Sequence, residues 1–475
     1  MQFANPPSGS WRRALDALTA RALNSAAKMA TPKRYFVHTF GCQMNVSDSR
    51  RMSEVLGRLQ YVPTSVCDDA DLIIVNTCAI REKAEEKMLS ALGRYRTVKM
   101  SRRALLGVAG CVAQQQKDRL LKRLPFLDFV FGPDAIANLP DILRRVEQDR
   151  ARVVDTAWMD SEEYVFPRAD AESARGKVSE FVTIMKGCDN VCSFCVVPHT
   201  RGREVSRPFQ EILAEVADLA QVGVREVTLI GQNVNSYRGG IEFHQLLRRV
   251  AQLPGIDRVR FTTSHPHDLC DELINAFREE EKIAPHFHLP VQSGSNRILK
   301  AMRRDYTVAE YLDRLERLRE ARPGIAVTTD IIVGFPGESD EDFDATLELT
   351  RQVRFENQFS FVFSPRPRTA AGIHEKEWGP IPHQLKIERL ERLQKVQRAI
   401  SLDIMGQQVS HEVDVLVEGP SKFDPLKLFG RTPENRTVNF EGGAEPGTLV
   451  RVRIDAATAN ALSGKQSETL RGLSA

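Results

Sequence analysis

Two spacings of apolar residues divide the chain. Short apolar runs at 35–40, 72–75, 104–109 and 127–131 alternate with stretches of helical period such as 46–59 and 83–95. Strand-sized runs between helical segments predict parallel strands covered by helices. The expected product is an N-terminal α/β domain over 34–149, a small doubly wound parallel sheet. A polar stretch over 150–175 has neither period and predicts a linker. A second series over 176–406 carries six strand candidates, 181–185, 226–230, 258–263, 286–291, 326–333 and 359–363. Helical patterns such as 211–221, 243–253 and 341–353 follow them, so six βα units predict a partial (βα)6 barrel. Over 383–405, Leu385, Leu390, Leu393, Val396 and Ile400 fall near one helical face, which predicts a helix closing the barrel from outside. The tail, 407–475, changes to short alternating runs at 412–417, 437–440 and 449–454 separated by Gly and Pro, and predicts a small β-barrel.

Residues 1–33 precede these domains. Within them 11–28 is Ala-rich, contains Arg and is poor in acids. The stretch reads either as an amphipathic targeting segment or as a disordered extension with Met29 as an alternative start. The extension is preferred, because a short helix-prone tail is a weak targeting signal.

Composition narrows the class without naming it. A chain of 475 residues suits about three domains. No apolar run approaches the ~20 residues of a membrane span, so no membrane is expected. A net charge of +3 is too small to imply nucleic acid, and RNA contact must come from local patches. Eight cysteines without a secretory signal predict a reducing, cytoplasmic compartment, where clustered thiols bind metal. A monomer is expected.

Cys188, Cys192 and Cys195 stand in C-x3-C-x2-C spacing just after the first strand of the barrel series. Three thiolates on one tight loop suit three irons of a cubane, leaving the fourth open to a substrate. The end of a first strand is also the mouth of a barrel, where active sites lie. The alternative is a structural zinc site with His199 as fourth ligand, although a closed zinc site needs no barrel mouth around it.

Cys42, Cys78 and Cys111 are distant in sequence, yet each follows a predicted strand. Open parallel sheets bind ligands beyond the carboxyl ends of their strands, near the switch point. The trio therefore reads as ligands of a second cluster, against the alternative of three buried thiols in a core. Cys67 and Cys270 lack the strand-end setting and are read as incidental.

Residues 181–203 (FVTIMKGCDNVCSFCVVPHTRGR) resemble the cluster loop of radical S-adenosylmethionine enzymes. GCQMN (41–45), NTCAIR (76–81) and GCVAQ (110–114) resemble the N-terminal domain of methylthiotransferases, and the tail resembles a TRAM domain. The resemblance runs from residue 34 to the C-terminus. It implies two 4Fe–4S clusters and S-adenosyl-L-methionine as cofactors, with the radical borne by the cofactor and no side chain as catalytic acid or base. The open iron at Cys188, Cys192 and Cys195 would chelate S-adenosylmethionine, whose one-electron cleavage gives a 5′-deoxyadenosyl radical. The Cys42, Cys78 and Cys111 cluster would carry the inserted sulfur, methylated by a second S-adenosylmethionine.

Phe194 resembles the aromatic near the adenine in this superfamily, and Gly231, Gln232 and Asn233 follow strand 2, where relatives meet the methionyl amine. Many relatives carry Gly and Glu at the positions of Gln232 and Asn233. Gln292 and Ser293 after strand 4, with Gly334 and Glu338 after strand 5, complete the expected cofactor rim. The strings GCQMNVSDS, VVPHTRGREVSRP, LIGQNVNSY, HLPVQSGSN and GRTPENRTVNF resemble the branch that modifies C2 of N6-(dimethylallyl)adenosine at position 37 of tRNA. Gln43, Met44 and Asn45 argue against the branch acting on ribosomal protein S12; that branch and one acting on threonylcarbamoyl-adenosine remain the alternatives. Implied partners are the tRNA anticodon loop, an electron donor such as flavodoxin or ferredoxin, and a sulfur donor system. Arg201, Arg203 and Arg207 beside the loop, with Lys422, Lys427, Arg431 and Arg436 in the tail, are the candidate phosphate contacts. For the tail residues the alternative is a solvated surface. Arg368, in SPRPRTA, replaces a glycine usual in close relatives.

Overall fold

The computed structural model describes residues 32–79, 82–159, 164–166, 168, 171–422 and 424–471. The segment 11–28, read as an extension, lies outside the described residues. The chain divides into two compact units, Met1–Tyr164 and Val165–Ala475.

The first unit is a parallel sheet of six strands: β1 (Arg34–Phe40), β2 (Val62–Pro63), β3 (Leu72–Thr77), β4 (Leu105–Gly110), β5 (Phe129–Phe131) and β6 (Val153–Asp155). Their order is β2-β1-β3-β4-β5-β6, so the direction of winding reverses between β1 and β3. All six residues of β3 are buried, as expected for a strand covered on both faces. Helices Gln43–Arg58 and Leu139–Gln148 lay Met52, Leu56 and Ile142 in one core with Leu72, Ile74 and Phe131. Helix Glu82–Arg102 packs against β1, β3 and β4. Gly107 matters in β4, because a Cβ there would stand 2.0 Å from the Phe129 ring. The short strands β2 and β6 were not expected, and β6 falls inside the stretch read as a linker. Two or three residues are too few for a period of two to show.

The second unit holds the six expected barrel strands: β7 (Ser179–Thr183), β10 (Glu226–Ile230), β11 (Arg258–Phe261), β12 (His286–His288), β13 (Ala326–Val333) and β14 (Asn357–Val362). They form two parallel three-stranded sheets, β11-β10-β7 and β12-β13-β14. A bridge between Val259 and Ile283 stands at the seam. Val227, Leu229, Val259, Phe261, Ile331 and Val333 face the surrounding helices and share one core with Ile212, Val216, Leu246, Phe277 and Phe343. By alternation Thr228, Arg260, His288, Asp330 and Phe359 take the inner face.

The expected strand 181–185 is broken in two. After β7 the chain steps out at Ile184 and resumes as β8 (Met185–Lys186), which pairs antiparallel with β9 (Val205–Ser206). The long helix, His383–Gly406, forms as expected, but its buried face differs from the apolar stripe. Lys386, Arg389, Leu393, Gln397 and Ile400 turn inward, while Leu385, Leu390 and Val396 are only half-buried. The inward polar groups have partners: Arg389 meets Glu338 at 2.7 Å, and Gln397 donates to the Phe355 carbonyl at 2.8 Å.

The tail is a closed five-stranded barrel ordered β15-β16-β17-β19-β18. Its strands are β15 (Glu412–Pro420), β16 (Leu428–Arg431), β17 (Thr437–Glu441), β18 (Leu449–Ala457) and β19 (Leu462–Arg471). Val415, Val417, Val438, Phe440, Val450 and Ile454 fill it. It docks on the larger barrel through buried cations. Arg260 donates to the Pro433 and Thr432 carbonyls at 2.8 Å each, and Arg258 to the Arg431 carbonyl at 3.1 Å. Among the described residues no helix is long and apolar enough to cross a membrane.

Candidate metal centres

The loop of Cys188, Cys192 and Cys195 leaves the C-terminal end of β7 through the β8–β9 clip. Gly187 makes the entry possible: its φ is +76°, and a Cβ would stand 1.9 Å from the Arg203 carbonyl oxygen. Its N–H donates to Gln232 Oε1 at 2.5 Å, which ties the loop to the end of β10. Ser193 anchors the far side. Its N–H donates to the Met302 carbonyl at 2.9 Å, its hydroxyl to the Ala301 carbonyl at 2.8 Å, and its own carbonyl accepts from Ala371 at 2.8 Å. Donors point at the sulfurs, among them Val197 N–H at 3.4 Å from Cys195 Sγ and Arg304 Nη1 at 3.5 Å from Cys192 Sγ. Hydrogen bonds of this kind favour a thiolate. Burial acts the other way on the metal-free thiols, pushing Cys188 up to about 11 and Cys195 up to about 12. Binding to iron would displace those protons, as coordination does for thiols generally. The loop therefore fits a cubane: three thiols rigidly presented, with N–H donors aimed at two of them.

The second trio sits at the switch point. In the sheet register Phe40 lies beside Thr77, and Thr77 beside Gly110. Cys78 and Cys111 are the next residues on their strands, and Cys42 stands two residues beyond Phe40, at the head of helix Gln43–Arg58. Three adjacent strand ends thus carry the three cysteines at one level of the sheet. Cys78 and Cys111 are buried and Cys42 is half-buried. Gly41, at φ +144°, lets the first segment close over the second: a Cβ there would be 2.6 Å from Cys78 Cβ. Around them Asn45 Nδ2 donates to Asn76 Oδ1 at 3.2 Å, and Asn76 Nδ2 to the Asn45 carbonyl at 2.8 Å and to Ser49 Oγ at 2.9 Å. Sequence reasoning missed this frame, although an asparagine inside the apolar run LIIVNT was its visible signal. Thr77 Oγ1 is buried with no hydrogen-bond partner among the described residues, an open polar atom beside Cys78.

No disulfide joins any of the eight cysteines. Among the described residues no three His, Cys, Asp or Glu side chains converge as on a single metal ion. Cluster ligands differ in this respect, since each thiolate binds its own iron.

The cofactor rim divides on inspection. Gln232 Nε2 and Asn233 Oδ1 are buried without hydrogen-bond partners among the described residues, which leaves two polar atoms at the end of β10 suited to a polar ligand. The backbone of Gln292, at φ +72°, bridges to β13. Phe194 packs beside Ile298, Met302, Phe335 and Phe363. Gly231 and Gly334 are required for close approach, to Met185 and Lys386 respectively, where a Cβ would meet side-chain carbon at 2.4 Å. Ser293 and Glu338 are turned to internal partners. Ser293 Oγ accepts from Ser295 N–H at 3.2 Å, and Glu338 accepts from Gly334 N–H at 3.0 Å besides its pair with Arg389.

Three of the expected phosphate contacts need correction. Arg207 is 1% exposed and pairs with the buried Glu215 at 2.5 Å; Arg201 is 3% exposed. Neither guanidinium reaches the surface. Arg436 is bound to Glu356 by two hydrogen bonds, of 2.6 and 3.1 Å, and holds the tail barrel to the core. Sequence reasoning could not see that Arg207 and Arg436 had internal carboxylates, or that Arg201 was buried. Arg203 remains available, 86% exposed and only loosely paired with Asp189 at 3.5 Å. Lys422 is exposed, and Lys427 and Arg431 are half-buried, with Arg431 3.5 Å from Glu418. Arg368 adopts φ +69°, the left-handed region that favours glycine, so its usual replacement in relatives has a backbone reason.

A paired test separates the two kinds of arginine. R207M removes the buried guanidinium that Glu215 meets at 2.5 Å; breaking such a pair costs about 3–5 kcal/mol and is expected to lower the melting temperature by at least about 6 °C. R203A is expected to leave melting unchanged and to reduce the salt slope of tRNA binding by about 1. Calorimetry and binding titrations over a salt series check both.

Three family models match successive parts of the chain: Uncharacterized protein family UPF0004 over 34–132, the Radical SAM superfamily over 182–350 and the TRAM domain over 406–466. The tRNA-2-methylthio-N(6)-dimethylallyladenosine synthase of Myxococcus xanthus is 71% identical over 439 residues, covering 92% of this chain and 95% of that protein. Proteins of the same name from Anaeromyxobacter sp. and Alkalilimnicola ehrlichii are 62% and 48% identical, covering 92% and 91% of this chain and 94% and 97% of theirs. Among solved structures, a radical S-adenosylmethionine methyltransferase, TsrM, from Kitasatospora setae superposes with a TM-score of 0.54 at 15% identity, over 72% of this chain and 78% of that one. That likeness concerns the fold alone.

Proposed function

Since the chain belongs to the family of tRNA-2-methylthio-N6-dimethylallyladenosine synthases, radical S-adenosylmethionine enzymes, we propose that its two cysteine trios hold two separate 4Fe–4S clusters with different tasks. The activity itself is methylthio transfer to C2 of N6-(dimethylallyl)adenosine in tRNA. We place the target base at position 37, beside the anticodon. A base there is already largely unpaired, so turning it out of the loop costs little.

The chemistry supplied by a bound cluster with S-adenosylmethionine is hydrogen abstraction from an unactivated carbon, which no side-chain acid or base can perform. The chain's own groups do the remaining work. Cys188, Cys192 and Cys195 hold one cluster on the clipped loop. Gln232 links that loop to β10 through its Oε1, with its unpartnered Nε2 facing a ligand, and Asn233 offers a buried acceptor beside it. Phe194 supplies an apolar wall suited to a purine. Cys42, Cys78 and Cys111 hold the second cluster, at which the inserted sulfur is kept. The observation that carries this assignment is the register of β1, β3 and β4, which brings three cysteines to one level at the switch point. Arg203, Lys422, Lys427 and Arg431 are the remaining candidates to meet the tRNA backbone. A flavodoxin or ferredoxin as electron donor, a sulfur donor system and a cytoplasmic location complete the proposal, in keeping with eight unbridged cysteines.

Iron and sulfide counting on anaerobically purified protein tests the second cluster. The variant C188A/C192A/C195A is expected to keep about four irons and four sulfides per chain, one cubane's worth. An iron-free variant would remove the claim.

A further inference from the structure

Behind the loop of Cys188, Cys192 and Cys195 lies a buried cation that the expected site did not include. Arg304 is 7% exposed, in the turn between helices Asn296–Ala301 and Val308–Ala321. Its guanidinium is fully directed: Nε donates to the Tyr306 hydroxyl at 3.0 Å, Nη2 to the Pro290 carbonyl at 2.9 Å, and Nη1 to Cys192 Sγ at 3.5 Å. Tyr306 is itself fixed, donating to the Val291 carbonyl at 2.9 Å, with Arg304 5.3 Å above its ring. Among the described residues no carboxylate lies within ion-pair distance of Arg304. A buried guanidinium requires a counter-charge, since an unpaired one is costly. The sulfur of Cys192, once a thiolate, is in place to supply it. His265 next to Tyr306 adds no competing charge, because burial, and then Arg304 itself, hold it neutral.

The arrangement is also asymmetric. Cys195 receives a backbone N–H, whereas the half-buried Cys192 meets the buried guanidinium of Arg304. Potentials of iron–sulfur clusters respond to net charge and to hydrogen bonds at the sulfurs. A donor that is both stabilises the more negative, reduced form more than the oxidised one.

We propose that Arg304 is a positioning residue that raises the reduction potential of the cluster at Cys188, Cys192 and Cys195 through a charge-assisted hydrogen bond to the Cys192 thiolate. This rests on the reading of those three cysteines as cluster ligands. Of the three cysteines, Arg304 meets Cys192. It eases entry of the single electron that starts turnover.

The test is an EPR-monitored redox titration of the full-length holoenzyme, following the signal that changes when S-adenosylmethionine is added. In R304Q the reduction equilibrium is expected to fall about tenfold, a shift of about 59 mV for one electron. R304K keeps the charge but cannot reach three partners at once, and should fall less. Y306F loosens the guanidinium without removing it, and should shift in the same direction. An iron-replete R304Q with the parental potential overturns the proposal. Should R304Q fail to hold a cluster, unchanged potentials in both R304K and Y306F overturn it, and lowered ones support it. Absence of any S-adenosylmethionine-responsive cluster in the unaltered enzyme would instead defeat the ligand assignment beneath it.

Discussion

Replacing Cys42, Cys78 and Cys111 together by alanine is expected to abolish methylthio transfer while S-adenosylmethionine cleavage continues. The three side chains end adjacent strands at one level of the first compact unit, and the other trio follows β7 in the second. The two tasks should therefore separate. Alanine at position 42 loses the 3.4 Å contact of the Cys42 thiol with Asn45 Oδ1, but the Asn45–Asn76 hydrogen bonds do not involve the cysteines, so the sheet is expected to fold. Methylthio nucleoside should fall by at least about 10³-fold, equivalent to roughly 4 kcal/mol of barrier. Mass spectrometry of digested tRNA gives the product, and chromatography gives 5′-deoxyadenosine. Persistence of the methylthio product would show that the inserted sulfur is held elsewhere; loss of 5′-deoxyadenosine as well would show that the trios do not act separately.

The second large effect is on the other trio. C188A/C192A/C195A is expected to produce no detectable 5′-deoxyadenosine and no modified tRNA, whatever reductant is offered. The reason lies in the loop rather than in the thiols alone. Gly187, Ser193, Gln232 and Arg304 hold the sulfurs in place, and no other cysteine follows a barrel strand closely enough to substitute; Cys270 is exposed at the head of a surface helix. Binding of tRNA should survive, because Arg203 and the tail barrel are untouched. Retention of S-adenosylmethionine cleavage at even one tenth of the parental rate would overturn the assignment of this loop.

Much of the architecture was legible because burial leaves a periodic trace. β3 is a fully buried strand that opens on the apolar run LIIV, β13 is mostly buried with apolar residues at both ends, and both were anticipated close to their observed ends. The six cysteines were legible for a related reason: their position relative to those strands is a local property. The elements that escaped notice have no such trace. β19 reads LSGKQSETLR, mostly polar, and is a strand because it closes the tail barrel between β17 and β18. β8 and β9 are two residues each, stabilised by pairing across the cluster loop. In helix His383–Gly406 the buried face takes in Leu393 and Ile400 of the apolar stripe, but also Arg389 and Gln397, which find partners inside the barrel wall.

The arginines mark the boundary most clearly. By composition Arg201, Arg203 and Arg207 are alike, three cations beside a cluster loop. In the fold one of them pairs with a buried glutamate, another is buried, and the third faces water. A cation's role depends on the partner it meets, and Glu215, Glu356 and Cys192 lie 8, 80 and 112 residues from Arg207, Arg436 and Arg304. The sequence by itself determined where the longer buried strands form, where the cysteines stand relative to them and which family the chain resembles, because those depend on local period and motif. Only the tertiary structure decided that three strand ends share one level, which charges are internal, and that a guanidinium lies against Cys192. Those contacts join residues distant along the chain, and no local pattern encodes them.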